Sequence, residues 1–218
     1  MLQPTKGIVP EVVNNVGGLY EGDLRHYFRY IFDNATNLGN PYHNFRHLMY
    51  ALVAAHEGCD YHRQEMSKLQ IRVLLIAVVL HDANNRGKKG NDHENIKDAI
   101  RVLEDCILPE DTPFFGEISR IIWSTEYPHK KKNENLSLDE RIMRDADMTQ
   151  IFYHCWFQDI IFGLGSEWRM TEMEMLSAEV EFLEKFKPCS GWGMATFTEE
   201  VIRQKREEVK SYIDLLKD

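Results

Sequence analysis

The chain has 218 residues, of which 43% are hydrophobic, and this length predicts one domain, residues 1–218, with a single sizeable core. Its formal net charge of -9 argues against a surface for a nucleic-acid polymer, because such surfaces need clustered lysine and arginine. The longest apolar run, 73–80, is too short to cross a bilayer, the first ten residues lack signal-peptide character, and the cysteines are widely spaced. We therefore expect a cytoplasmic protein without membrane association.

Helical periodicity dominates the first half of the chain, and no period-two strand pattern stands out. One helix is expected after Asp23, which is placed to cap it, and the segment 39–41 should end it. A second helix is expected to begin near His43 and to end at Gly58. A third begins at Ser67 and is apolar nearly all round, so we expect it to be central and buried.

The second half continues the helical pattern, with polar or glycine-containing segments between the helices. Helices are expected after Asp92, around Ile118, from Asp139, at 170–186 and at 198–216. The segments 84–90 and 127–135 are expected to be loops, and 190–193 a glycine-rich link. Seven or eight helices joined by short loops predict an all-α helical bundle.

Histidines and carboxylates concentrate in two short segments that can hold a metal ion. His43 and His47 are four residues apart, which predicts that they lie on one face of a helix. The doublet His81-Asp82 ends the most apolar run of the chain. A further carboxylate is available in the segment 144–147. Imidazole and carboxylate together bind Zn, Fe, Mn or Mg, so the residues leave the metal open.

The set formed by His47, His81-Asp82 and Asp147 resembles the H…HD…D pattern that defines the HD superfamily of metal-dependent phosphohydrolases, an all-α fold. The resemblance covers roughly 42–152, and the C-terminal helices of 166–218 are expected to pack on this motif core. The segment 41–47, PYHNFRH, is similar to the P-Y-H-N-x-x-H segment of cyclic-nucleotide phosphodiesterases. The later segments HDA, NDHE and DAD resemble those of a group of uncharacterised HD hydrolases.

This resemblance implies that His47, His81, Asp82 and Asp147 are metal ligands, with Asp82 as the bridge if a second ion binds. Asp147 is preferred to the nearby Asp145 because the family ligand directly follows the small residue of its A-D segment. His43 matches the histidine that protonates the leaving oxygen in the phosphodiesterases, so the resemblance makes it catalytic together with Asp82. A supporting hydrogen-bonding role is the alternative for His43.

The chain also departs from the phosphodiesterase pattern. Those enzymes continue as HD-x-x-H-P-G, whereas Asn84, Asn85 and Arg86 follow HDA in this chain. This departure leaves the shell of a second metal ion and the specificity for cyclic nucleotides open.

Four residues are candidate substrate-binding residues: Tyr42, Arg86, Lys89 and Glu94. Arg86 and Lys89 lie in the loop after the doublet and can hold a phosphate, although an ordinary solvated loop explains them as well. Glu94 is either a substrate or second-metal contact or an acid at a helix start. Tyr42 belongs to the segment that resembles the phosphodiesterases.

Two hypotheses follow for the function. In the first, the chain is a metal-dependent phosphohydrolase that uses one or two divalent ions (Mn, Mg, Fe, Co or Zn) to activate water. Its substrate is then a small phosphate ester, expected to be a nucleotide, with a cyclic nucleotide favoured by the segment 42–47 and with His43 as general acid. In the second, the chain is a non-catalytic module that senses a nucleotide on an HD scaffold. A homo-oligomer is compatible with either hypothesis.

Overall fold

The computed structural model describes residues 8–90 and 92–217. Within these ranges the chain forms eleven α-helices and no β-strand, which confirms the predicted all-α class. The helices are α1 (Ile8–Val13), α2 (Arg25–Asn34), α3 (Phe45–Tyr61), α4 (Lys68–Leu80), α5 (Asp92–Cys106), α6 (Phe115–Trp123), α7 (Leu138–Met148), α8 (Gly165–Trp168), α9 (Glu172–Lys185), α10 (Gly191–Thr196) and α11 (Glu199–Leu215).

The apolar helix α4 lies at the centre of the bundle, as its composition predicts. All of its residues from Ile71 to Leu80 are buried, and α2, α3, α5, α6 and α7 pack around it. Its start is fixed by a capping box, in which the Ser67 hydroxyl accepts from the amide of Gln70 and the Gln70 side chain accepts from the amide of Ser67. The buried position of α4 carries the doublet that follows it into the interior.

Two helix starts differ from the prediction. The side chain of Asn44 accepts hydrogen bonds from the amides of Arg46 and His47, so α3 begins at Phe45 and His43 precedes the helix. The predicted sharing of one helix face by His43 and His47 is therefore wrong. Asp23 does not cap α2 either, because Leu24 occupies the N-cap position.

The described residues form eleven α-helices, more than the predicted seven or eight, and most of the additional segments lie in the C-terminal part. A π-helical segment, Phe157–Leu164, runs directly into α8, and α10 occupies the stretch expected to be a glycine-rich link. The extra helices are short, at six residues for α1, four for α8 and six for α10, so they show no periodic pattern.

The helices α9 and α11 pack against each other, and α9 also packs on the π-helical segment. Their apolar residues form a second buried cluster around Trp156, Met175, Leu176 and Val209. No helix in the described ranges has both the length and the apolar character that a membrane-crossing segment requires.

Candidate metal centre

Three helices bring the four predicted ligands to one place. His47 lies in the first turn of α3, His81 and Asp82 follow the last residue of α4, and Asp147 lies near the end of α7. One ligand atom from each side chain lies within 4.8 Å of the ligand atoms of the other three. The predicted convergence of these residues from separate parts of the chain is confirmed.

The spacing of these atoms fits a shared cation. His47 Nε2 lies 3.1 Å from Asp82 Oδ2 and 3.2 Å from Asp147 Oδ1, and His81 Nε2 lies 3.3 Å from both oxygens. Both Nε2 atoms are buried and have no hydrogen-bond partner in the described part of the chain. Ligands bound at about 2.1 Å from one ion are themselves roughly 3.0–3.4 Å apart. The donor set therefore has the composition and size of a divalent metal site.

A chain of polar contacts fixes the ring of His47. Its Nδ1–H donates to Oε1 of Gln150 at 2.7 Å, because an amide oxygen can only accept. The amide nitrogen of Gln150 donates to Asp159 at 2.9 Å, and Asp159 pairs with Arg46 at 2.9 Å. This arrangement leaves the lone pair of His47 on Nε2, the atom that faces the carboxylates.

The doublet is held in the same manner. His81 Nδ1–H donates to the carbonyl oxygen of Val78 at 2.8 Å, which places its free lone pair on Nε2. Asp82 uses its other oxygen, Oδ1, to accept from the side chain of Asn85 at 3.0 Å, so Oδ2 remains directed toward the imidazoles. Both residues thus present one defined ligand atom.

The electrostatics of the centre favour positive charge between the two carboxylates. Burial lowers the pKa of His47, but the adjacent carboxylates of Asp147 and Asp82 outweigh burial and raise it to about 10. Burial raises the pKa of Asp82 and of Asp147, yet the imidazoles around them hold both values below the usual range. Two ionised carboxylates that stabilise a shared proton can stabilise a metal cation in its place.

The structure distinguishes Asp147 from the neighbouring Asp145. Both oxygens of Asp145 face away from the centre and accept hydrogen bonds from the amide of Cys189 at 2.7 Å and from the amide and hydroxyl of Ser190 at 2.7 and 2.6 Å. Asp145 therefore anchors the start of α10, whereas Asp147 faces the histidines. This placement supports the choice of Asp147 as ligand.

His43 lies beside the centre and is paired with a carboxylate that the sequence analysis did not identify. Its ring centroid is 5.8 Å from that of His47, and its Nδ1 is 2.5 Å from Oε2 of Glu167, which lies on the four-residue helix α8. The other oxygen of Glu167 accepts from the amides of Tyr42 and His43 at 2.8 and 2.9 Å. Burial raises the pKa of Glu167, but the contacts with His43 and these amides outweigh burial and lower it.

Asn37 is a second residue that the sequence analysis missed. Its side-chain amide donates to the carbonyl oxygens of His43 at 2.7 Å and Asp82 at 3.0 Å, and its Oδ1 accepts from the amide of Asn84 at 2.9 Å. Asn37 is 5% exposed, so these bonds are shielded from water. One side chain therefore joins the two segments that carry the predicted catalytic residues.

Two of the predicted substrate-binding residues lie near aromatic rings. The ring of Tyr42 is 4.8 Å from the ring of His43 and 4.8 Å from that of His47. Lys89 has its ammonium 5.2 Å from the centroid of Trp168, one residue after Glu167 on α8. Their roles in substrate binding stay predictions.

Arg86 and Glu94, the other two candidates, are engaged in ion pairs. Arg86 binds Asp98 through Nε at 2.8 Å and through Nη2 at 2.7 Å. Glu94 pairs with Lys97 at 2.9 Å on the same helix. A substrate would have to compete with these partners, and the two assignments also remain predictions.

Asp92, the first residue of α5, also interacts with the loop after α6 and with the charges of the centre. It accepts a hydrogen bond from the amide of Tyr127, which ties the start of α5 to the loop after α6. Burial raises its pKa to about 6, with further contributions from the negative charges of Asp82 and Asp147. The charges of the centre therefore act on this carboxyl group.

Comparison of the chain with models of protein families and with curated proteins gave no match. The interpretation of the centre accordingly rests on the residues and distances described above.

Proposed function

We propose that this chain is a metal-dependent phosphohydrolase of the HD type, acting on a phosphate ester of a nucleotide or a related small molecule. The observation that carries the proposal is the pair of buried, unpartnered Nε2 atoms of His47 and His81 facing the carboxylates of Asp82 and Asp147. Two imidazole nitrogens and two carboxylate oxygens converge there with distances of 3.1–3.3 Å, a donor set that a bound divalent metal ion would complete.

The chemistry requires an activated water and a proton for the leaving oxygen. His47, His81, Asp82 and Asp147 would hold a divalent ion, which would supply Lewis-acid chemistry by acidifying water and polarising phosphoryl oxygens. The protein side chains orient these ligands through Gln150, the Val78 carbonyl and Asn85. The substrate phosphate is accordingly expected to lie between the centre and His43.

The contacts of His43 support its proposed role as the proton donor. Glu167 accepts from Nδ1, which fixes the ring and directs Nε2 away from the carboxylate. The amide contacts of Glu167 to Tyr42 and His43 fix the backbone at the same time. In this arrangement Nε2 of His43 gives its proton to the departing alkoxide, a general-acid step typically worth about 10²–10⁴ in rate.

The alternative hypothesis, a nucleotide-sensing module, does not need this pair. A binding module has no leaving group to protonate, so a histidine oriented by a buried carboxylate beside a candidate metal site fits an enzyme better. We therefore favour the enzyme. The resemblance of the segment 41–47 to cyclic-nucleotide phosphodiesterases makes a cyclic phosphodiester the first substrate to test.

The test combines metal analysis with a substrate screen. Purified protein is assayed with Mn²⁺, Mg²⁺, Co²⁺ and Zn²⁺ against nucleoside mono-, di- and triphosphates and cyclic nucleotides, alongside the variants Asp82→Ala and Asp60→Ala. Asp60 is a surface carboxylate paired with Arg63, so its loss controls for charge removal. We expect hydrolysis that a chelator abolishes, loss of activity and of metal in Asp82→Ala, and normal behaviour of Asp60→Ala. Near-normal turnover of Asp82→Ala with metal bound would contradict the proposed mechanism.

A further inference from the structure

Arg144, on α7, is a buried arginine whose charge no carboxylate neutralises by direct contact. It is only 3% exposed. Its Nε donates to the carbonyl oxygen of Ser124 at 2.6 Å, and its Nη1 donates to the carbonyl of Lys131 at 2.9 Å and to Oδ1 of Asn133 at 3.3 Å. All three acceptors are neutral. Within residues 8–90 and 92–217, Arg144 forms no ion pair, and its Nη2 forms no hydrogen bond.

The other buried arginine shows how this chain neutralises such a charge elsewhere. Arg72 is 6% exposed and donates to both oxygens of Asp111, from Nε at 2.8 Å and from Nη2 at 2.7 Å. This bidentate pair is the usual solution, because an unpaired charge in the interior is costly. Arg144 lacks an equivalent partner.

Glu140, four residues earlier on the same helix, already has other partners. Its side chain accepts from Ser137 at 2.8 and 2.7 Å and from Lys131 at 3.0 and 2.9 Å, and it also pairs with Arg120 at 3.1 Å. Glu140 acts on Arg144 only through its charge: burial lowers the pKa of Arg144, and Glu140 partly offsets that effect. The guanidinium remains charged, since an arginine does not lose its proton in a protein.

Arg144 faces a cavity of about 240 Å³ between α7 and the end of α9. Lys185 and Lys187 add two more positive charges to its lining, and the ammonium of Lys185 lies 3.8 Å from a carboxylate oxygen of Glu181. The lining carboxylate, Asp145, has both oxygens occupied by three hydrogen-bond donors. Aromatic side chains complete the walls: Tyr127, Phe182 and Phe186. The cavity is therefore positive although the chain as a whole carries a net charge of -9.

We propose that this cavity binds a phosphate group, held by the free Nη2 of Arg144 together with Lys185 and Lys187. Guanidinium groups bind phosphate oxygens through charge-assisted hydrogen bonds, and the two ammonium groups add charge at the rim. The aromatic walls suit a ring carried by the same ligand. The phosphate supplies the negative charge that no carboxylate provides to Arg144.

The cavity adjoins the metal centre. Arg144 and Asp147 are three residues apart on α7, which places their Cβ atoms about 5–6 Å apart. Met148, the residue after Asp147, also lines the cavity. A ligand whose ester lies at the centre can thus place a second phosphate on Arg144, and this part of the inference rests on the proposed function. Free inorganic phosphate is the other source of the same group.

The first experiment measures phosphate binding without metal. Inorganic phosphate is titrated calorimetrically into the full chain after treatment with a chelator, using the wild type and the variants Arg144→Gln, Lys187→Gln and Lys68→Gln. Lys68 is exposed at the start of α4 and controls for loss of one positive charge. We expect Arg144→Gln to weaken binding roughly tenfold or more, Lys187→Gln roughly two- to fivefold, and Lys68→Gln to leave it unchanged.

Absence of saturable phosphate binding, or equal affinity in all four proteins, would overturn the proposal. If thermal unfolding shows that Arg144→Gln does not fold, the double variant Lys185→Gln/Lys187→Gln decides in its place.

Steady-state kinetics then identify the source of the phosphate. If the substrate carries it, Lys187→Gln raises KM for a nucleoside diphosphate but not for nitrophenyl phosphate. If free phosphate is the ligand, inhibition by phosphate weakens in the variant while both KM values stay the same. Phosphate binding without hydrolysis of any substrate would refute the proposed function and leave the anion site intact.

Discussion

The imidazole of His43 depends on a carboxylate that lies 124 residues later in the chain. Glu167 contacts the ring and also the two backbone amides next to it, so one buried side chain sets both the tautomer and the position of the imidazole. Under the proposed function, Glu167 acts through His43 as a positioning residue.

Glu167→Gln tests this role. The glutamine keeps an oxygen for the amides of Tyr42 and His43 but lacks the negative charge that faces Nδ1 of His43. We expect turnover of a substrate with an alcohol leaving group to fall about 10–100-fold, with bound metal and KM nearly unchanged. Glu172→Gln, an exposed change in the first turn of α9, is the matched control. A fall in metal content would show that Glu167 supports the ligands instead.

His43→Ala separates a general acid from a ligand. We expect it to keep its metal and to lose about 10²-fold or more in turnover on esters of poorly acidic alcohols. A nitrophenyl ester should be affected much less, because nitrophenolate leaves without a proton. Equal losses on both substrates, with metal retained, would assign His43 to substrate positioning.

The contrast between His43 and Glu167 explains what the sequence could predict at this scale. The candidate site residues stand in compact patterns, His43 with His47 and His81 with Asp82, whose residue types and spacing indicate a metal site. Glu167 lies on a helix of four residues and carries no pattern that distinguishes it from any other glutamate. Its role exists only because the fold brings α8 against the segment before α3.

At the scale of the elements, the centre depends on how helices begin and end. Asn44 caps α3 and sets the position of His47, while Leu80 ends α4 so that His81 and Asp82 leave the helix. Asn37 then joins these two ends through hydrogen bonds to the backbone of His43 and Asp82. Buried bonds to backbone carbonyls are costly to lose, because their acceptors cannot reach water.

Asn37→Asp tests this connection with almost no change in size. The aspartate keeps the acceptor for the Asn84 amide but replaces the donating group by an oxygen that faces two carbonyl oxygens. We expect a loss of about 2–4 kcal/mol in the free energy of unfolding, measured by urea denaturation. The exposed change Asn34→Asp in the last turn of α2 should cost well under 1 kcal/mol. Equal stability of the two variants would show that Asn37 is not structurally important.

The elements also show why some helices were predictable and others were not. Ser67 before α4 and Thr171 before α9 form capping boxes, and the helices that follow are long enough for periodicity to appear. The helix α10 was missed because its glycines indicate a link. Gly193 is required there for a tertiary reason, since any side chain would collide with the carboxylate of Asp145. Sequence periodicity cannot report such a contact.

At the scale of the whole molecule, the candidate site lies where the two buried clusters meet. The candidate metal ligands come from α3, α7 and the end of α4, and the apolar residues of these helices belong to the larger cluster. Tyr42 packs with the cluster of the C-terminal helices, and Glu167 reaches His43 from the same side. The C-terminal part, for which the resemblance implied only packing on the motif core, thus supplies a residue of the site itself. It also buries Glu179 on α9, which is 7% exposed.

Glu179 links the stability of this arrangement to pH. Burial raises its pKa from 4.5 to about 8, so in this range the folded chain keeps a proton that the unfolded chain releases. Because the unfolded state then binds fewer protons, the free energy of unfolding falls as the pH rises through this window, by at most about 1.4 kcal/mol per pH unit. Below a pH of 4.5 Glu179 is protonated in both the folded and the unfolded state, and its contribution to the free energy of unfolding no longer changes with pH.

Glu179→Gln should remove this dependence, because an amide stays neutral at every pH in the window. The quantity to measure is the difference in unfolding free energy between the variant and the wild type, by urea denaturation at pH 5, 6, 7 and 8, since the titrations of the metal ligands cancel in that difference. We expect the free energy of unfolding of the variant to increase relative to that of the wild type as the pH rises toward 8. Glu184→Gln, an exposed change on the same helix, should give a difference in unfolding free energy that does not change with pH. If the Glu179→Gln difference is equally flat, Glu179 titrates normally and the interior between α9 and the metal centre admits enough water to solvate its charge.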